Sequence, residues 1–367
     1  MILVPQRYVM ALLNLLGDRV QVDAPLLHNT TLFTVNLAQA TAHIEGIIRS
    51  TVYRERHKQV EEQVRASLPE DMASQVLAEV PDHNRLCEAF RIAGIVPPEN
   101  LGELERVLEQ ARQSNPARGG DIYYFALDNN ALRNRLYSLY LRPAQRGRSE
   151  PNMLLSRAVH DELDLCKGKI LSRFLKAFDS AFPSLGVRQL FGNQNRLEDR
   201  LRLLARREWD KILQSSAYDV VSSAYDVVEA GRKSDPDGPI IRSYAQFAAA
   251  AGRKVVVLSS DNEFILRCEG RPNLIPLLVR YPSEVDEAYR ADWEAVSWLL
   301  YHLAVVYGRL DLRRADGVTV RVYGVWQGKG APDWDDERLK ITVEPSNAPL
   351  EQALQRTMRI LQAVGNP

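Results

Sequence analysis

Cysteine is scarce in this sequence, and long apolar runs are missing. Three cysteines stand far apart among 367 residues, which excludes a disulfide framework and the paired cysteines of a zinc site. We therefore expect a reducing, cytoplasmic environment. No run approaches the roughly 18 apolar residues of a transmembrane helix, so we expect no membrane span. The N-terminal stretch carries Arg7 and lacks a small-residue cleavage site, which indicates an amphipathic helix rather than a signal peptide.

Net charge and phosphate-binding glycine loops are also missing. Lysine plus arginine and aspartate plus glutamate both total 47, which excludes a uniformly basic nucleic-acid binder but not a locally basic groove. The glycines form neither GxGxxG nor GxxxxGK[ST], and GxSxG does not occur. Enzymes that bind nucleoside triphosphates or dinucleotides therefore find no support. The chain does have 45% hydrophobic residues, which is typical of a folded globular protein.

Composition and periodicity predict three regions. Residues 1–118 form a mostly helical N-terminal region, with an amphipathic helix predicted over Thr34–Leu68. The linker Ser114–Gly120 ends that region. Residues 119–280 combine buried strands with helices, which predicts an α/β fold whose parallel sheet is flanked by helices. Residues 281–367 predict a small α+β appendage. It contains an apolar helix over Asp292–Tyr307 and a hairpin in which the alternating strand Val318–Trp326 pairs with Leu339–Val343.

Two strongly apolar strands mark the centre of the α/β region. They are Ile122–Leu127 and Val255–Ser260, and each ends directly before an aspartate, Asp128 or Asp261. Ligands of an open α/β sheet bind beyond the carboxyl ends of its strands, so neighbouring strands would bring these acids together. For either acid alone, a turn-forming or helix-capping role is the commoner explanation. The pair, each closing a buried strand, favours a shared site.

A third acid, Glu162, lies on a helix predicted over about Leu154–Leu175. Asp161, Glu162 and Asp164 are equally compatible with the solvated face of an amphipathic helix. The neighbouring His160 fits a surface residue better than an acid–base group. From the residues alone, the role of Glu162 stays open.

A seven-residue segment, Ser215–Val221, is repeated at once as Ser222–Val228. Seven residues make about two helical turns, so the tyrosines and valines of both copies would share one helix face. The duplication therefore predicts a helix that has been lengthened without changing its buried side.

Three short blocks in this region resemble, in their order, the signature blocks of PIN-domain nucleases. The blocks are Asp128-Asn-Asn after a strand, Ser156-Arg-Ala-Val-His-Asp-Glu162-Leu, and Val-Val-Val-Leu-Ser-Ser-Asp261. The resemblance covers less than half of the chain. It implies a PIN-like fold in which Asp128, Glu162 and Asp261 ligate Mg²⁺ or Mn²⁺. A fourth family acid usually opens the helix before the last strand, and Asp237 is the candidate here, with Asp235 as its rival.

The sequence departs from the family pattern in two places. Asn129 stands where the family usually has a hydroxyl residue after the first aspartate. A long helical insertion over about residues 166–233 also exceeds the length of minimal family members. The insertion implies a specialised substrate or partner.

A local excess of positive charge overlaps this insertion. Between Arg142 and Arg207 there are fourteen lysines and arginines but seven acids. Such side chains follow the phosphates of single-stranded nucleic acids, although they also solvate amphipathic helices. The candidate nucleic-acid-binding residues are Arg142, Arg146, Arg148, Lys167, Lys169 and Arg173.

Two functions from different classes follow from these patterns. The first is a metal-dependent endonuclease, in particular an endoribonuclease acting on single-stranded or structured RNA, with RNA favoured over DNA. Its catalytic residues and metal ligands would be Asp128, Glu162, Asp237 and Asp261. The second is a catalytically inactive PIN-like subunit for RNA binding or assembly, whose N- and C-terminal regions dock a protein partner. Self-association into a homo-oligomer stays open.

Overall fold

A computed structural model describes residues 2–37, 41–142, 151–165, 168–215, 217–222, 235, 237–249 and 252–364. The chain forms two compact units, each assembled from separate segments. The first unit contains Met1–Val96, Lys167–Arg200 and Ser283–Pro367. The second contains Pro97–Cys166 and Leu201–Pro282. The two terminal regions, which the sequence presents as separate, therefore belong to one unit.

The strands of the described residues are numbered in chain order. They are β1 (Ile2–Pro5), β2 (Arg19–Ala24), β3 (Thr30–Leu37), β4 (Thr41–Glu45), β5 (Ile122–Leu127), β6 (Asn152–Ser156), β7 (Tyr218–Val221), β8 (Arg253–Ser259), β9 (Leu274–Leu278), β10 (Ala288–Asp292), β11 (Arg309–Arg313), β12 (Thr319–Tyr323) and β13 (Arg338–Glu344).

The helices of the same residues are numbered likewise. They are α1 (Val9–Leu16), α2 (Ser50–Ser67), α3 (Glu70–Leu77), α4 (His83–Ile92), α5 (Leu101–Gln113), α6 (Asn129–Arg133), α7 (Arg157–Asp164), α8 (Ser172–Ala181), α9 (Val187–Phe191), α10 (Leu197–Leu213), α11 (Asp237–Ala248), α12 (Asn262–Cys268), α13 (Trp293–Tyr307), α14 (Ala331–Asp335) and α15 (Ala348–Val364). Each of these described helices is too short or too polar to cross a membrane.

The first unit is organised around an antiparallel sheet. Its described strands follow the order β1-β13-β12-β11-β2-β3-β4-β10. Apolar residues alternate with polar ones along these strands, as in Val20 and Val22 of β2, so one face of the sheet is buried. Helix α13 packs against the sheet and against α1 and α4, and residues 296–307 are therefore all buried. The predicted apolar helix and the predicted β12–β13 hairpin are confirmed.

The prediction of a mostly helical N-terminal region is wrong for most of its first 45 residues, although the helix expected in the N-terminal stretch is present as α1. Strands β1 to β4 lie there, and the helix predicted over Thr34–Leu68 is β3, β4 and then α2. Val35 of β3 lies opposite Ile44 of β4 in the sheet, and both side chains are buried. The apolar spacing that resembled a helix therefore arises from two strands that pair with each other.

The second unit contains a parallel sheet, as the sequence predicts. Its described strands follow the order β7-β6-β5-β8-β9, and every neighbouring pair is parallel. The central strands β5 and β8 are buried by α5, α6, α11 and α12, which contribute to one apolar core. The protein is thus a mixed α/β protein in which a parallel sheet is accompanied by many helices.

Two predictions in the second unit are wrong in their secondary structure. The helix predicted over about Leu154–Leu175 begins only at Arg157, because the residues before it form the buried strand β6 between β5 and β7. The first copy of the repeat forms β7 rather than a helix, since tyrosine and valine favour strands and β7 pairs with β6. Most of the second copy lies outside the described residues.

The insertion predicted over about residues 166–233 is divided between the units. Its described part contains α8, α9 and α10, as expected for a helical segment. However, Lys167–Arg200 belongs to the first unit, and the chain returns to the second unit at Leu201. The first part of the insertion is therefore an excursion of the chain into the first unit, whereas its later part adds the edge strand β7 to the parallel sheet of the second unit.

Candidate functional site

The two aspartates predicted from strand ends follow adjacent strands. Strand β5 pairs with β8, and Leu127 lies opposite Leu258 at the carboxyl ends of both. The backbone N–H of Asp128 continues this ladder by donating to the carbonyl oxygen of Leu258 at 3.4 Å. Asp261 follows β8 at the same edge of the sheet. The expected adjacency of the two strands is therefore confirmed.

Both aspartates also cap helices. Oδ1 of Asp128 accepts a hydrogen bond from the backbone N–H of Ala131 at 2.7 Å, at the start of α6. Oδ1 of Asp261 accepts from the N–H groups of Glu263 and Phe264, at 2.8 and 3.2 Å, at the start of α12. Capping fixes each carboxylate against the backbone. The capping role considered from the sequence is thus present, and it holds the acids at the sheet edge.

Ser259, the last residue of β8, connects the two acids. Its hydroxyl donates to Oδ2 of Asp128 at 2.5 Å and accepts from the backbone N–H of Asp261 at 2.8 Å. Ser259 and Asp128 are both buried. A neighbouring strand therefore supplies Asp128 with the hydroxyl partner that Asn129 cannot provide.

Glu162 lies on α7, which follows the buried strand β6. Its neighbours Asp161 and Asp164 are exposed, whereas Glu162 is half-buried and accepts a hydrogen bond from the side-chain amide of Asn129. The solvated-face explanation therefore holds for the two neighbours but is wrong for Glu162. Asn129 directly follows Asp128, so the start of α6 holds both Asp128, through its capping contact, and Glu162, through the amide of Asn129.

The electrostatics show that the predicted acids lie near one another. Burial raises the pKa of Asp128 to about 7, and the negative charges of Asp261 and Asp237 add to that rise against the hydrogen bonds from Ser259 and Ala131. Burial likewise raises the pKa of Glu162 to about 7, together with Asp237 and Asp128. Carboxylates that raise one another's pKa values in this way lie within electrostatic range of one another.

Asp237 and Asp235 differ in their surroundings. Burial raises the pKa of Asp237, and Asp261 adds to that rise although Arg267 opposes it. Burial opposes ionisation of Asp235 as well, but its hydrogen bond with Arg267 lowers the pKa of that carboxyl. Asp237, rather than Asp235, is therefore the acid whose charge raises the pKa values of Asp128 and Glu162. It is also the candidate that the family resemblance favoured.

The oxygens of these acids are partly engaged. Among the described residues, no three His, Cys, Asp or Glu side chains lie close enough to hold one metal ion as they stand. Binding of an ion by several of these acids therefore requires side-chain movement. The donor set itself fits a hard cation, because Mg²⁺ and Mn²⁺ favour oxygen ligands. Within the described structure, the amide oxygen of Asn129 beside Glu162 is also buried without a hydrogen-bond partner.

The six candidate nucleic-acid-binding residues are spread over both units. Arg142 is exposed in the second unit, whereas Lys169 and Arg173 belong to the first. Nζ of Lys169 donates to Asn193 at 2.7 Å, and the guanidinium of Arg173 lies 5.0 Å from the ring centre of Phe174. The remaining three lie outside the described residues: Arg146, Arg148 and Lys167.

Further residues of the site were not predicted from the sequence. Ser259 lies two residues before Asp261, a spacing that places side chains on one side of an extended segment. Glu263 and Arg267 are four residues apart on α12, a spacing that brings opposite charges together on a helix. Both spacings were available as signals, but the contacts of Ser259 and Arg267 with residues outside their own segment were not.

No known protein-family model matches this sequence, and comparison with curated proteins gives no match either. The PIN-like resemblance therefore stays a hypothesis that depends on the three blocks and on the site geometry.

Proposed function

We propose that this protein is a divalent-metal-dependent endonuclease with a PIN-like core, and that its substrate is RNA. The observation that carries this function is the mutual electrostatic proximity of four carboxylates beside the carboxyl ends of β5 and β8. They come from the ends of two strands, from α7 and from the start of α11: Asp128, Asp261, Glu162 and Asp237. Such convergence is typical of metal-assisted phosphodiester hydrolysis.

The same four carboxylates would hold Mg²⁺ or Mn²⁺. When bound, the ion supplies an activated water molecule and offsets the negative charge that develops on the phosphate. The protein's own residues orient these ligands. Ser259 holds Asp128 and the backbone of Asp261, and Asn129 holds Glu162. Partners of this kind fix ligand geometry and affect metal affinity about 10–100-fold.

Positive charge near the acids supports a phosphate-containing substrate. Arg202 of α10 lies close enough to Glu162 for its charge to oppose the rise in the pKa of that carboxyl. Its guanidinium also donates a hydrogen bond to the carbonyl oxygen of Leu165, just after α7. We assign Arg202 to the rim of the site, with the predicted residue Arg142 of the same unit as a further contact to the strand.

Cleavage of labelled single-stranded RNA and DNA in Mn²⁺ tests this function. We expect wild type to cleave RNA, and Asp128→Asn to lose at least about a hundredfold in rate, because it removes a charged ligand without changing its size. Asp161→Asn is the matched control, since Asp161 is an exposed acid beside Glu162. Absence of cleavage by wild type, or equal rates for wild type and Asp128→Asn, would exclude the nuclease.

A catalytically inactive RNA-binding or assembly subunit is the second candidate. It is favoured by the engagement of the acids in other contacts, since both oxygens of Asp128 accept hydrogen bonds and Asp237 pairs with Arg267. In that case the N- and C-terminal regions would dock a protein partner. RNA binding by wild type without Mn²⁺ binding or cleavage would identify this function.

A further inference from the structure

Arg267, in the last turn of α12, places its guanidinium between two aspartates. Nη2 donates to Oδ1 of Asp235 at 2.6 Å, and Nη1 donates to Oδ2 of Asp237 at 3.2 Å. All three side chains are about one-third to two-fifths exposed. One cation therefore bridges an acid of the candidate site and an acid outside it, with the shorter contact to the outer acid.

Asp235, the acid outside the candidate site, also contacts the backbone at the start of α11. Oδ1 of Asp235 also accepts the backbone N–H of Gly238 at 3.0 Å. A Cβ at position 238 would lie 2.3 Å from Oδ2 of Asp235, so a side chain there would displace the Asp235 carboxylate. The contact with Gly238 thus holds the Asp235 carboxylate as an anchor for Arg267, independently of Asp237.

We propose that Arg267 is a built-in competitor of the divalent metal. In the metal-free protein, the guanidinium of Arg267 offsets the charge of Asp237. When a metal ion binds Asp237, the guanidinium keeps only its contact with Asp235. Asp235 is then a holding position for the arginine rather than an alternative ligand. Because this role presupposes a metal at Asp237, it rests on the proposed function.

The strength of the contact suits such an exchange. A partly exposed ion pair is weak, because water screens the charges and two long side chains must be held in place. A divalent ion shared by several carboxylates attracts Asp237 more strongly than one guanidinium does. Arg267 therefore lowers metal affinity without preventing binding, and it keeps the crowded acids partly neutralised while the metal is absent.

Titration calorimetry with Mn²⁺ on the full chain tests the role of Arg267. We expect Arg267→Ala to bind Mn²⁺ about fivefold more tightly than wild type, the factor that corresponds to loss of one partly exposed ion pair. The matched control is Arg271→Ala, on the turn that follows, where the guanidinium contacts the backbone oxygen of Arg267 rather than an acid of the site. The control removes the same charge but should leave affinity within about twofold of wild type.

Asp235→Asn tests the holding position separately. Without the Asp235 carboxylate, Arg267 has only Asp237 left of its two aspartate partners. It then competes more strongly with the metal for Asp237, so Mn²⁺ should bind about twofold to fivefold more weakly. In the double variant Asp235→Asn, Arg267→Ala the anchor has nothing to hold. Its affinity should therefore equal that of Arg267→Ala, a non-additive result that general loss of negative charge would not produce.

The results separate the competitor from the nuclease. If wild type binds Mn²⁺ and Arg267→Ala binds it no more tightly, the competitor role is overturned and the proposed function stands. Equal tightening by Arg271→Ala also overturns it, because charge alone would then explain the effect. If neither wild type nor Arg267→Ala binds Mn²⁺, the proposed function falls and the competitor role falls with it.

Discussion

Buried carboxylates occur in both units, but they are balanced in different ways. In the first unit, Glu79 accepts two contacts from the backbone N–H of Leu197 and one from the guanidinium of Arg200 at 3.1 Å. In the second unit, Asp128 and Glu162 lie near other acids. Uncharged donors hold Asp128, and Glu162 has the charge of Arg202 and the side-chain amide of Asn129 as its partners. A buried carboxylate therefore has a directly bonded cation in the first unit, whereas neighbouring carboxylates raise its pKa in the second unit.

This difference predicts different roles for the two kinds of buried acid. A buried acid with a fixed cationic partner is complete within the fold, although its burial still costs free energy. Acids that raise one another's pKa values need a proton or an external cation to be stable, and such groups cluster at functional sites. The arrangement of Glu79 therefore predicts sensitivity to loss of its partner, whereas that of Asp128 predicts sensitivity to pH and metal.

The largest effect is expected from Arg200→Met in the first unit. Arg200 is fully buried, and its loss would leave Glu79 buried without its cation. We expect the free energy of unfolding, measured in urea, to fall by about 3–5 kcal/mol. Arg188→Met is the control, because the pair between Arg188 and Asp179 is exposed and should contribute about 1 kcal/mol or less. Similar losses in both variants would contradict the comparison.

In the absence of metal, Asp128→Asn in the second unit is expected to raise the free energy of unfolding, by less than Arg200→Met lowers it. Burial raises the pKa of Asp128 to about 7, above the unfolded value of about 3.9. The stability contributed by protonated Asp128 is therefore complete below about pH 4 and is lost as pH rises through 7. In EDTA the variant should be more stable than wild type by about 2 kcal/mol at pH 8, and nearly equal to it at pH 5.

Urea unfolding at the two pH values measures this difference. Asparagine retains the oxygen that caps α6 but places an amide NH2 beside Ser259. That change is the same at both pH values, so the difference between the two pH values isolates the charge. Saturating Mn²⁺ should raise the stability of wild type at pH 8 and should raise that of Asp128→Asn less. A stability gain that is equal at pH 5 and pH 8 would show that crowding of acids is not its cause.

The smallest effect is expected at Lys329, the buried cation of the first unit. Its amine donates to the carbonyl oxygens of Gly324 and Arg338, and it lies 4.0 Å from the ring centre of Trp334. Burial lowers the pKa of Lys329 to about 7, below the unfolded value of about 10.4. The stability of wild type relative to Lys329→Met should therefore rise by about 1.3 kcal/mol between pH 8.5 and 9.5. Urea unfolding at both pH values tests this sign, which is opposite to that at Asp128.

The sequence predicted those elements whose pattern is self-contained. Strands β5 and β8 contain uninterrupted apolar runs, and β12 alternates, so each was identified without knowledge of its neighbours. Strand β6 was missed because its apolar residues continue directly into α7, and periodicity cannot separate the two. Its burial between β5 and β7 decides its conformation. The N-terminal strands were missed for the related reason that pairs of short strands imitate helical spacing.

The candidate site was predictable to a similar degree. Asp128 and Asp261 follow from the rule that ligands bind beyond strand ends, and this rule needs only local sequence. Glu162 required the family resemblance, because its helix carries exposed acids on both sides of it. Arg267 could not be assigned, since its partners Asp235 and Asp237 lie some thirty residues away in the chain. Contacts of this range depend on the tertiary fold.

The pairing of Ile2 with Ile341 has a consequence for synthesis on the ribosome. The second unit has all its segments once Pro282 has emerged, whereas β1 must wait for β13, which ends at Glu344. Until then, the early strands of the first unit present unpaired edges, which favour aggregation. Shortened chains that end before Arg338 would lack the strand between β1 and β12. We therefore expect that, in such shortened chains, the first unit misfolds whereas the second unit folds.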